Sequence, residues 1–158
     1  SNAADLGSSS GQWQTYFHDR ITKNTWLVSA RSGGGDGGNG RSGDPAISAD
    51  GKWVAYESVA DDLVANDGNG QSDVFIWDRV SKRTRLVSVH SNGRQANAES
   101  HDPALSATGK FIVFVSDASN LRARDKNGKR DVFIHNRATR KTDIVSVNSK
   151  DGTYEEQL

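Results

Sequence analysis

The sequence contains no cysteine. That excludes disulfide scaffolds, thiolate metal sites and cysteine nucleophiles, and it permits an oxidising compartment without demonstrating one. It has no net formal charge, because 20 Lys and Arg balance 20 Asp and Glu. A general polyanion binder carries a basic excess, and this chain carries none. No apolar run approaches the roughly 18 residues that a membrane-spanning helix needs. Only two prolines are present, Pro45 and Pro103, and each follows an aspartate. Hydrophobic residues make up just 34% of the chain, yet Trp, Phe, Val and Ile come in tight runs, which argues against disorder.

What is present is self-similarity. Residues 44–100 and 102–158 align without gaps at an offset of 58, with 24 identities in 57 pairs. Both copies open on Asp-Pro, at Asp44 and Asp102. A partial third copy lies upstream, where residues 15–30 match residues 74–89 at an offset of 59. The extra residue falls in the glycine-rich stretch 33–43, which lacks the Gly-Lys-Ser/Thr ending of a phosphate loop. A fixed period of this length is the mark of a repeat architecture.

Each full copy holds four short apolar segments between turn residues, at 46–48, 53–58, 74–78 and 85–89 in the first. Val, Ile, Phe, Tyr and Trp dominate them, which predicts strands. Asp50-Gly51 and Thr108-Gly109 predict tight turns between the first two strands of each copy. The run Phe111-Ile112-Val113-Phe114-Val115 is apolar without alternation, as in a strand covered on both faces. No window carries a helical stripe. The expected fold is therefore all-β: β-propeller blades of four antiparallel strands, about two and a half of them in this chain. Residues 1–12 read as a tag scar and linker arm. A half blade follows at 13–43, then blades at 44–101 and 102–158.

The pattern Asp-Pro-x-Ile/Leu-Ser-x-x-Gly-Lys before an apolar run, with the later Asp-Val-Phe-Ile-x-Asp/Asn-Arg, resembles the WD40-like β-propeller repeat of TolB-like proteins. The resemblance spans about residues 14–148. It implies a bacterial exported protein, periplasmic or extracellular, with a protein-binding role. These repeats exceed the roughly 40–45 residues of the common form, and nothing here resembles the separate α/β domain of TolB.

Two and a half blades leave open edges, and an open edge invites another chain. Residues 1–79 carry a net charge of −5 and residues 80–158 carry +5. That asymmetry suggests head-to-tail docking of one molecule on the next. The expected partner is a protein, or a second copy through the open blade edges, with no nucleic acid and no membrane insertion.

The most chemical feature is the loop before each third strand. It places Asp67, Asn69 and Asp73 in one copy and Asp125, Asn127 and Asp131 in the next, around a glycine. Short oxygen side chains about a Gly turn are candidate calcium ligands. The first acidic position of a calcium loop is missing, with Ala65 and Ala123 in its place. The competing reading, which the sequence favours, is that Asp and Asn bond their own backbone to shape the turn. No other cofactor is expected.

For catalysis the sequence assembles nothing. His18 and His135 align with Trp77, as strand packing residues do. His101 adjoins Asp102 at a blade entrance, but its mate in the preceding copy is Gly43. The one Gly-x-Ser-x-Gly match, at residues 7–11, falls in the small, polar linker arm and not at a strand-to-helix turn, so it is no nucleophile elbow. The reading is a non-catalytic binding module. The alternatives are the propeller portion of a larger hydrolase or peptidase, and a carbohydrate-binding module using exposed Trp.

Overall fold

The computed structural model describes residues 10–123, 125 and 128–146. Among the described residues, ten strands form three antiparallel sheets. The first sheet pairs β1 (Tyr16–His18) with β2 (Thr25–Leu27). The second runs in chain order through β3 (Ser42–Ile47), β4 (Trp53–Ser58), β5 (Asp73–Asp78) and β6 (Arg83–Leu86). The third repeats this order with β7 (Ser100–Leu105), β8 (Phe111–Ser116), β9 (Asp131–Asn136) and β10 (Lys141–Ile144). This is the expected architecture, two whole blades and the outer half of another.

The turns form as their residues require. Gly51 and Gly109 both have φ near +65°, and each N–H closes its turn on a serine carbonyl. Their side-chain partners repeat as well. Ser48 Oγ accepts from Trp53 N and Ser106 Oγ from Phe111 N.

The first strands begin earlier than the sequence suggests, because each crosses a β-bulge. Pairing shifts between Gly43 and Ala46 and again between His101 and Ala104. The Asp-Pro pair sits inside that bulge, with Asp44 at φ 46° and Asp102 at φ 52°. Asp tolerates this left-handed conformation better than most residues. Proline's missing N–H also costs no ladder bond at a bulge.

β5 is buried on both faces. Val74 and Ile76 enter one apolar cluster, with Ile112, Phe114, Leu121 and Phe133 of the next blade. Phe75 and Trp77 enter another, with Val54, Tyr56 and Val28 of the half blade. The two faces of one sheet thus belong to two different seams between blades, which removes the hydrophobic alternation a half-exposed strand would show. Equivalent rings stack in both blades, Tyr56 on Phe75 at 5.7 Å and Phe114 on Phe133 at 5.8 Å.

The Asp-Arg pairs fasten the seams. The Arg79 guanidinium reaches Asp19 of the half blade at 2.6 Å and lies over the Phe17 ring. Arg137 lies 3.5 Å over Trp53 of the preceding blade and donates to the Gly109 carbonyl of its own turn. One arginine thus serves its own turn and the seam together.

Candidate functional site

Polar chemistry and open space gather at several places among the described residues. The first is the loop before β5. Its three oxygen residues converge, but around a side chain that the repeat pattern does not single out. Gln95, from the loop after β6, donates its Nε2 to Asp67 Oδ1 at 2.6 Å and to Asp73 Oδ2 at 2.9 Å. Asn69 Nδ2 donates to Asp73 Oδ2 and to the Ala96 carbonyl, and its Oδ1 accepts from Gln71 N. Ser88 Oγ donates to the other oxygen of Asp73. Burial pushes the Asp73 carboxyl up to about 6 against these hydrogen bonds, and burial also raises Asp67. The Gln95 amide occupies the point between two carboxylates that a cation would take. A calcium ion at Asp67, Asn69 and Asp73 has to displace it.

The second copy keeps part of this arrangement. Asp131 Oδ1 accepts from Ser146 Oγ, as Asp73 does from Ser88. Asp125 is buried, and Asn127 lies outside the described residues. In the half blade, Gln14 stands at the position of Asp73. Its Oε1 accepts from Ser29 Oγ and its Nε2 donates to the Gly38 carbonyl. One amide there performs the roles that Asp73 and Asn69 share in the next blade.

The second place is a cluster at the leading edge of the third sheet. His101 on β7 lies between two carboxylates, Nδ1 3.5 Å from Glu57 on β4 and Nε2 3.3 Å from Glu99. Glu99, His101 and Asp117 present ligand atoms within 4.8 Å of one another, the spacing of a divalent-cation set. Glu99 and Asp117 are exposed, and Arg130 grips Asp117 through two bonds of 3.0 and 2.8 Å. That grip holds the Asp117 carboxyl below its ordinary range, while burial raises Glu57. The repeat pattern draws attention away from His101, since its mate is Gly43.

Two of the other histidines serve the sheets. His18 Nδ1 and His135 Nδ1 each bond a threonine hydroxyl on the next strand, Thr25 and Thr142, at 2.9 Å. Burial lowers His135 to about 4, so it is neutral at physiological pH. His90 Nδ1 accepts from Asn92 N.

The third place is a groove of about 670 Å³ between β1 and β3, lined by Trp13, Gln14, Thr15, Tyr16, Arg41 and Pro45 among others. Trp13 is 57% exposed beside it. Trp26 is instead half-buried under the Lys82 ammonium, 3.9 Å from its ring.

No family model matches the chain, and no curated protein matches it. Among solved structures, a protein described as a TolB of Agrobacterium tumefaciens superposes with a TM-score of 0.53 at 16% identity. That likeness covers 87% of this chain and 42% of that one. A TolB from Acinetobacter baumannii is also similar, with a TM-score of 0.31, 16% identity, and 89% and 39% of the two chains covered. This chain spans less than half the length of either. At such identity the likeness concerns the fold, and the fold is that of a TolB-like β-propeller, present in part.

Proposed function

We propose that this chain is a non-catalytic propeller module of a bacterial exported protein and works by binding another protein. The observation that carries the reading is the TolB-like fold, matched over 87% of the chain. The histidines support it, since His18 and His135 bond threonines within their sheets and His101 faces two carboxylates. None of these contacts makes the nucleophile–base–acid line that acyl transfer requires. The WD40-like repeat type, the blade limits 13–43, 44–101 and 102–158, and a periplasmic or extracellular location belong to this proposal.

The module is tested by cross-linking the purified chain in a bacterial envelope extract, beside a variant altered at the polar cluster (Glu99→Lys with Asp117→Lys). The expected result is a discrete adduct, formed by the wild type and weakened in the variant. Adducts equal in both place the partner away from that cluster. Peptidase activity, or binding on a glycan array with no protein adduct, overturns the reading in favour of a hydrolase portion or a carbohydrate module.

Self-association is a second reading, favoured by Phe111. This ring is 36% exposed at the position of Trp53, which carries Arg137 in the seam between the two whole blades. Light scattering at low and high salt decides it, and a strict monomer in both rejects it.

A further inference from the structure

The two seams of this molecule are built from the same repeat, so each contact in one has a counterpart position in the other. The seam between the whole blades is complete, because β7 packs on β3, β4 and β5 of the blade before it. Among the described residues, the seam between the half blade and β3 lacks those partners, and four positions show where contact is missing.

Pro103 on β7 is buried, whereas its counterpart Pro45 on β3 is exposed. Leu105 packs against the apolar cluster of the complete seam, whereas its counterpart Ile47 is 56% exposed. Gly109 lies directly under the Trp53 ring, close enough that a Cβ there would meet Trp53 Cδ1 at 2.5 Å. Its counterpart Gly51 has a clear face, and a Cβ there would meet only the Arg79 guanidinium, at 3.8 Å.

The fourth position is Thr15, which lines the groove. It is 4% exposed, and its buried Oγ1 has no hydrogen-bond partner. A buried hydroxyl without a partner costs about 1–3 kcal/mol. Beside it runs β1, paired among the described residues with β2 alone, whereas its counterparts β5 and β9 each carry a second strand of six paired residues. An unpaired strand edge beside an apolar floor accepts an added strand.

We propose that this groove binds the leading β-hairpin of a further repeat of this same type. The reading of the chain as a binding module is its premise. The hairpin's chemistry follows from the complete seam. Its second strand pairs along β1. An aromatic residue at the Trp53 position seats on Gly51 beside Arg79. Its first strand covers Pro45 and Ile47. A carboxylate at the Glu57 position meets Arg41, because His101 of the complete seam faces Glu57 and Arg41 flanks the equivalent stretch of β3.

The test uses a fluorescein-labelled synthetic peptide with the sequence of residues 42–58, which contains all these features, titrated into the whole chain. Saturable 1:1 binding is expected. Ile47→Asp in the protein, or Trp53→Ala in the peptide, weakens it about tenfold or more, the worth of one buried large side chain. Phe111→Asp, on the far face, leaves it unchanged. Peptide binding also slows amide exchange at residues 13–18. Absence of saturation, equal binding of a scrambled peptide, or loss on Phe111→Asp but not Ile47→Asp overturns the proposal. A protein that fails here yet still forms the envelope adduct keeps its binding function and loses only this groove.

Discussion

The Nε2 of Gln95 donates to Asp67 at 2.6 Å and to Asp73 at 2.9 Å, so a neutral amide holds two carboxylates together. Removing it leaves two acceptors facing each other with a partner lost. Gln95→Ala is expected to lower stability by about 1–3 kcal/mol, read by urea denaturation. Gln95→Glu replaces the donor with a third carboxylate and supplies the acidic set that calcium needs. Titration calorimetry with calcium should give heat with Gln95→Glu and none with the wild type. Heat from the wild type would mean that the ion displaces the amide unaided.

Asp73 and His135 make opposite contributions to stability over nearly the same pH window. The Asp73 carboxyl rises from 3.8 to about 6 in the folded protein, so the folded state holds the proton longer and its contribution is lost as pH rises across that interval. His135 falls from 6.5 to about 4, so the unfolded state holds that proton longer and stability grows as pH rises. The two slopes offset each other in the wild type. Asp73→Asn should leave stability rising from about pH 4 to 6, and His135→Gln should leave it falling, with a tenfold change in proton affinity worth about 1.4 kcal/mol. Stability measured at half-unit pH intervals checks both signs.

Gly51 and Gly109 offer a matched pair. Both hold φ near +65°, so an alanine at either costs about 1 kcal/mol for the left-handed backbone. Only at Gly109 does the new Cβ overlap the Trp53 ring, adding about 1–3 kcal/mol of overpacking. Thermal unfolding of Gly109→Ala against Gly51→Ala isolates the seam contact as the difference.

Leu105 and Ile47 form a second such pair. Leu105→Ala removes apolar packing from the complete seam and should cost about 1–2 kcal/mol. Ile47→Ala trims an exposed side chain and should stay within about 0.5 kcal/mol. Equal losses would mean that the face of β3 carrying Ile47 is already covered.

The sheets were legible in the sequence because the repeat displays each strand twice. The expected segment 53–58 is β4 to the residue, since Asp50-Gly51 fixes its start and the apolar run its length. The bulge at Asp44 and Asp102 was not legible. Asp-Pro suggests a strand opening, and only the left-handed backbone turns it into a bend within the strand. Gln95 was hidden for another reason. It lies 22 residues beyond Asp73, and its counterpart in the next copy is Thr153, so the repeat does not mark it. Comparison of copies exposes what they share, and it obscures a device that one copy alone possesses.

The division of each strand between two seams makes mispairing doubly costly. Were β5 to slip by a single residue, Val74 and Ile76 would be handed to neighbours shaped for Phe75 and Trp77, and the aromatic rings would be pressed into the space meant for smaller aliphatics. In a sheet with one watery side such an error spoils one packing arrangement. Here it spoils two at once, so correct threading is enforced from both flanks even though the string of apolar letters shows no in-and-out rhythm.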